Sequence, residues 1–310
     1  MNTACQDIVW IYAQHVRYSF NFFYKEVLTV KARKAIFAGS WYPESASECE
    51  NAIIRFLKKT EVQVASGIKL TGGIVPHAGW YFSGNIACSV IHALSSGIKP
   101  DAIVVYGMHL HPASPFYIMT EGAWETPFGE VFVEEDIAKE IAGRFVFDTT
   151  SHFSHDNTIE LQMPFIRYFF EDVKIIPIGV PPVAASLEIG KSVAQVASRL
   201  GVTIKVIGST DLTHYGMNYG FFPKGTGPAA VKWVQQENDQ KIIDAIVSMD
   251  PGRVIREALE SQNACCAGAA ATAIVTAKAI GADRAQCIAY ASSYDKSPGE
   301  SFVGYAGILF

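Results

Sequence analysis

Three short runs constrain the fold of this chain more than any other feature: "DAIVVYG" (101–107), "VKIIPIGV" (173–180) and "TIKVIGS" (203–209). Each is apolar nearly throughout, rich in β-branched residues and closed by glycine or a Gly-Ser pair. Strands covered by helices on both faces read this way, because neither side of the strand meets water. Residues 69–76 make a fourth apolar strand, and "QCIAYASS" (286–293) and "SFVGYAGILF" (301–310) close the chain as two more. Helical patterns fall between them, at 45–59, 83–95, 136–144, 157–170, 185–200, 229–248 and 264–280. Ser45 and Glu48 provide a capping box for the first, and Asp156 stands ready to cap the helix at 157. Alternating strand and helix predicts an α/β fold: a central, mostly parallel or mixed β-sheet with helices on both faces.

From Ala32 onward there is no linker, repeat or low-complexity tract, so residues 32–310 are expected to form one domain, with 1–31 an extension of unassigned role. The extension is aromatic-rich and amphipathic in places, but Gln14, His15, Arg17, Asn21 and Lys25 interrupt it. A membrane span needs roughly 20 apolar residues and a signal peptide needs a basic start with a small-residue cleavage site; neither pattern is present. Thirty acidic against twenty-five basic residues give a net charge of −5, which argues against non-specific nucleic-acid binding. The six cysteines have no regular spacing and no CxxC pair, so reduced thiols and a cytoplasmic location are expected.

Sheets of this kind carry their sites at the carboxyl ends of strands, and the reactive side chains fall there. His77, in "GGIVPHAGWYFSG" (72–84), follows the strand ending near Val75. His109 and His111, in "GMHLHP" (107–112), follow the strand ending at Tyr106. Asp211 and His214, in "STDLTHYG" (209–216), follow the strand ending at Ser209. Histidines from separate strand ends suit a transition metal, while a carboxylate three residues before a histidine suits acid–base work if the loop winds helically. Cys265 and Cys266 stand at the entrance of a small-residue helix, where the helix N-terminus favours a thiolate. Glu160 and Gln162 interrupt an otherwise apolar helix; spacing favours solvent-facing positions for both, and a role for Glu160 supporting the site from behind is the functional alternative. Spacing alone does not choose between His109 and His111, nor between Cys265 and Cys266.

Eight motifs in order carry a family resemblance: "AGSWYP" (38–43), "VPHAGWYFSG" (75–84), the histidine after "VVYG", "TPFGEV" (126–131), "NTIELQMPF" (157–165), "STDLTHYG" (209–216), the cysteine segment at 265 and "VGYAG" (303–307). Over about residues 34–310 the chain resembles the Memo family, whose bacterial and archaeal members are also named component B of the AmmeMemoRadiSam system. That family is similar in fold to the class III extradiol dioxygenases of the LigB type. The resemblance implies a metal centre of two histidines and a cysteine, carried here onto His77, His111 and Cys265, with Asp211 and His214 as catalytic groups beside it. Iron or copper is the implied ion, in a redox protein or oxidoreductase with an open pocket for a small-molecule, peptide or macromolecular substrate. Companion AmmeMemoRadiSam proteins and a modification pathway are implied as well. The sequence departs from the family twice: Cys265-Cys266 stands where Cys-Gly is usual, and Asn157 where a histidine is usual. Two other readings follow from the same pocket, a phosphopeptide-binding module and a hydrolase with a cysteine nucleophile.

Overall fold

The computed structural model describes residues 32–59, 62–148 and 155–310; the extension 1–31 lies outside the described residues. In chain order the strands are β1 (Ala32–Arg33), β2 (Gly72–Val75), β3 (Ala102–Gly107), β4 (Phe116–Ile118), β5 (Ala123–Trp124), β6 (Val131–Phe132), β7 (Phe147–Asp148), β8 (Lys174–Gly179), β9 (Ile204–Ser209), β10 (His214–Tyr215), β11 (Gln286–Ser292) and β12 (Phe302–Leu309). The main sheet runs β10-β12-β2-β9-β3-β8-β4-β7, with β11 also paired to β12. Its centre, β2-β9-β3-β8, is parallel, whereas β12 lies antiparallel to β2, β10 and β11, and β4 antiparallel to β8. The protein is therefore α/β with a mixed sheet. A small sheet of β1, β5 and β6 stands apart.

Side chains alternate across β3 as the pleat requires. Val104 and Tyr106 pack with Ile176, Ile178 and Val206 beneath the helices Ala184–Leu200 and Ala267–Ala279. Ile103 and Val105 pack on the other face with Ile175 and Ile207, under Trp80–Ser95 and Met163–Phe170. Both faces are covered, which is why these strands contain almost no polar residue.

Two predicted helices are interrupted. The pattern at 157–170 forms Asn157–Glu160 and Met163–Phe170, because Pro164, which has no amide hydrogen, starts the second helix afresh. The pattern at 229–248 contains a π-helical stretch, Val234–Asn238, between Pro228–Trp233 and Asp239–Val247. One further helix, Pro251–Ser261, is absent from the sequence reading although Asp250 caps it and Pro251 occupies its first turn. Among the described residues, no helix is long and apolar enough to cross a membrane.

Candidate metal centre

Neighbouring strands in a sheet lie about 4.8 Å apart, so groups leaving the adjacent strands β2, β9 and β3 at the same end must meet. His77 leaves β2 two residues past Val75, Asp211 leaves β9 two residues past Ser209, and His109 leaves β3 two residues past Gly107. Cys265 arrives from the entrance of the helix Ala267–Ala279, which seats closely on β9: a Cβ added at Gly208 would stand 3.0 Å from the Ala269 carbonyl.

The donors converge. His77 Nε2 lies 3.1 Å from His109 Nε2 and 3.2 Å from Cys265 Sγ. His77, His109, Cys265 and Cys266 form a group whose ligand atoms all lie within 4.8 Å of one another. His77 is buried, Cys265 partly buried and His109 exposed. The protonation of His77 follows from its neighbours. Ser209 Oγ donates its single proton to the Thr158 carbonyl at 2.7 Å, so it accepts from His77 Nδ1 at 3.0 Å. Nδ1 keeps its hydrogen, so Nε2 is the nitrogen that gives up its proton and offers a lone pair at the convergence point when an ion binds.

Asp211 binds the assembly together. Its Oδ1 accepts from the His77 amide at 2.7 Å, its own amide donates to Cys265 Sγ at 3.2 Å, and its carbonyl accepts from the Cys265 amide at 3.2 Å. Asp211 Oδ2 is 3.8 Å from Nε2 of both His77 and His214. Burial disfavours a charged His77, but the Asp211 carboxylate and the Cys265 sulfur outweigh it and lift its pKa to about 9. His214 is treated likewise: burial opposes its charge, yet Asp211 and Cys265 raise it to about 10. Burial would also raise Cys265, but the Cys266 thiol and the His77 charge bring it well below the usual thiol range, and Cys266 moves well above. A thiolate beside imidazole nitrogens is a donor set suited to a soft or borderline transition metal.

Of the residues expected at the centre, the structure brings together His77, Cys265, Asp211 and His214, and leaves His111 out. An unbroken extended run would turn residues 109 and 111 to the same side. Here Met108 takes a left-handed backbone (φ 73°), and the chain turns at His111, whose carbonyl accepts from the Ser114 amide. The His111 ring accepts from the Ala113 amide and is exposed, so His109 occupies the place expected for His111. The segment after Asp211 is not helical either: His214 and Tyr215 form β10 against β12.

The "NTIELQ" segment proves to be the support behind the site. Asp156 caps it by accepting from the Ile159 amide, as expected. Asn157 Nδ2 donates to the His77 carbonyl, Thr158 Oγ1 accepts from the Met108 amide at 2.7 Å, and Gln162 Nε2 donates to the Pro76 carbonyl. Asn157 and Gln162 hold the exit from β2, and Thr158 the exit from β3. Glu160 points away, accepting from the Phe37 amide, Tyr42 and Arg33, and so fixes the 37–42 segment that carries Trp41.

The centre opens into a cleft of about 560 Å³. His77, His109, Asp211 and His214 line it together with the aromatics Trp41, Tyr81, Phe82 and Tyr219 and with Ser293, Ser297 and Ser301. No lysine or arginine is among the described residues that line it, and Lys296 at the margin donates to the carbonyls of Tyr81 and Phe82. The sequence assigns no role to Ser209, Tyr219 or the three serines, because a lone serine or tyrosine in a strand or loop carries no spacing signal.

An α/β sheet with a His/Cys cluster at the carboxyl ends of its central strands defines a candidate metalloprotein. The Memo-like protein family matches residues 33–309, and the chain belongs to that family. A MEMO1 family protein of Pyrococcus furiosus is 32% identical over 292 residues, covering 89% of this chain and 98% of its own. Others from Thermococcus onnurineus and Pyrobaculum arsenaticum are each 33% identical, over 88% and 91% of this chain and 97% and 99% of theirs. A solved structure of an uncharacterized protein from Escherichia coli K12 overlays with a TM-score of 0.46 at 12% identity, over 77% of this chain and 99% of that one. That likeness is too distant to bear on the site.

Proposed function

We propose that this protein is a metal-dependent redox protein in which His77, His109 and Cys265 hold an iron or copper ion where the centre opens into the cleft. The observation that carries the reading is the hydrogen-bonded chain from Thr158 through Ser209 to His77 Nδ1, which directs Nε2 to within 3.2 Å of a cysteine sulfur and 3.1 Å of a second imidazole nitrogen. A structural histidine has no need of two such neighbours. When bound, the ion would supply one-electron transfer and Lewis acidity to a molecule in the cleft.

The chain's own residues do the rest. His214 Nε2 is buried without a hydrogen-bond partner, and the ring lines the cleft. Asp211 and Cys265 favour its protonated form, which suits it to donate a proton to a substrate atom. Asp211 orients the site through the His77 amide and stabilises that charge. Trp41, Tyr81 and Tyr219 offer flat, partly exposed faces that favour a substrate with an apolar or planar portion.

The phosphopeptide reading lacks a lysine or arginine among the described residues lining the cleft. The cysteine-nucleophile reading has its Cys–His pair, but Cys265 does not line the cleft and is surrounded by His77, the Asp211 amide and Cys266. Metal analysis of anaerobically purified protein tests the proposal. His77→Ala and Cys265→Ser are each expected to lose bound metal, and undiminished content in both would defeat the assignment.

A further inference from the structure

The three-donor centre leaves Cys266 without a function. This residue is 3% exposed, and its sulfur lies 3.7 Å from Cys265 Sγ and within 4.8 Å of the ligand nitrogens of His77 and His109. Its backbone is held on both sides. The Cys266 amide donates to Thr210 Oγ1 at 3.0 Å, and the Cys265 amide to the Asp211 carbonyl. Two residues on, Gly268 abuts the carbonyls of Val180 and Pro181, where an added Cβ would stand 2.3 Å from the former. The helix entrance is therefore wedged, and the direction of the Cys266 thiol is set by packing.

Four donors around one tetrahedral ion have characteristic separations. With metal–nitrogen bonds of about 2.0–2.1 Å and metal–sulfur bonds of about 2.3 Å, the edges are about 3.3 Å for N–N, 3.6 Å for N–S and 3.8 Å for S–S. Three of the six separations here are 3.1 Å for His77–His109, 3.2 Å for His77–Cys265 and 3.7 Å for Cys265–Cys266, and the other three lie within 4.8 Å. The exposed His109 ring is free to adjust the edges it makes. Two thiolates would also balance a divalent charge in a buried position at a helix N-terminus.

We infer that Cys266 is a fourth protein donor, making the centre a His2Cys2 set of His77, His109, Cys265 and Cys266. The inference rests on the metal-centre reading above and deepens it. Binding removes the Cys266 proton to solvent. A second thiolate shifts preference away from iron towards softer or tetrahedral ions, copper(I) and zinc among them.

The test uses zinc and cobalt(II) as probes on the reduced, full-length protein. X-ray absorption of the zinc-loaded wild type is expected to show two sulfur neighbours at about 2.3 Å. Cys266→Ala and Cys266→Ser are expected to lower the thiolate-to-cobalt charge-transfer band by about half and to weaken zinc binding about 100-fold or more, at least the penalty of losing an outer-shell partner. Cys287→Ser, whose sulfur contacts the Ala289 carbonyl elsewhere, should leave the band unchanged. One sulfur neighbour in the wild type, or a full band in both Cys266 variants while Cys265→Ser abolishes it, overturns the inference and leaves the three-donor centre standing. No uptake of either ion by the wild type overturns both. The absorption count needs no variant, so misfolding of a substituted chain cannot obscure the result.

Discussion

Ser209 accepts a hydrogen bond from His77 Nδ1 at 3.0 Å while donating its own proton to the Thr158 carbonyl at 2.7 Å. A serine at the end of a buried strand thereby selects the tautomer of a histidine that leaves the neighbouring strand. Ser209→Ala removes that selection and leaves the Thr158 carbonyl unpaired. Metal affinity is expected to fall about 10- to 100-fold, as for loss of an outer-shell partner, with a stability loss of about 1–3 kcal/mol. Competition with a chelator and urea unfolding measure the two effects separately; a variant with unaltered affinity would show that the ring is oriented by packing alone.

The paired histidines give a sharper contrast. His109 Nε2 faces His77, whereas the His111 ring accepts from the Ala113 amide outside the cluster. His109→Ala should strip bound metal, and His111→Ala should retain it at wild-type stoichiometry. Elemental analysis of the two purified variants decides, and the opposite pattern would restore the assignment that the family resemblance implies.

The architecture was legible because burial on both faces leaves a compositional mark: "DAIVVYG" and "TIKVIGS" read as covered strands, and they are the centre of the sheet. The strand exits then located His77, Asp211 and His214. The choice between His109 and His111 was not legible, because it depends on a left-handed Met108 held by Thr158 Oγ1, fifty residues away. A non-glycine residue at positive φ announces nothing in the sequence. Spacing reads Glu160 as a solvent-facing position, yet it is fully buried, because its partners Arg33, Phe37 and Tyr42 come from a segment that no local pattern links to it.

That supporting group yields a stability prediction. Glu160 and Arg33 form an ion pair at 2.9 Å with little exposure on either side, and Arg33 also stacks on Trp124, 3.8 Å from the ring centroid. Burial raises the Glu160 pKa, with the Phe37 amide and Arg33 opposing. Glu160→Ala leaves a buried guanidinium and the Phe37 amide without their acceptor, at a cost of about 3–5 kcal/mol. Denaturant unfolding of the metal-free variant measures it; a change below about 1 kcal/mol would place the pair among weak surface bridges.

Asp239 makes stability depend on pH in a direction opposite to most carboxylates. Its Oδ1 accepts from the Thr213 amide at 3.0 Å and from the Thr213 hydroxyl, and its Oδ2 from Tyr290 at 2.7 Å. Oδ2 also lies where a side chain on Gly304 would stand. Burial raises the pKa from 3.8 to about 6 despite the opposing Thr213 and Tyr290 hydrogen bonds. The folded state therefore binds the proton more tightly than the unfolded state, and the stability contributed by protonation is complete below pH 3.8 and lost as pH rises through 6. The swing is roughly 3 kcal/mol. Asp239→Asn keeps an acceptor for Thr213 and turns an amide towards Tyr290, whose hydroxyl can rotate to accept, but it cannot ionise. The stability difference between variant and wild type is expected to move in the variant's favour between pH 4 and 6 and to be flat above about pH 7. His77 and His214, present in both proteins, titrate at higher pH and cancel from the difference. A difference that stays constant from pH 4 to 7 in urea unfolding would mean that Asp239 ionises inside the fold as easily as outside it, and that its hydrogen bonds to Thr213 and Tyr290 fully offset its burial.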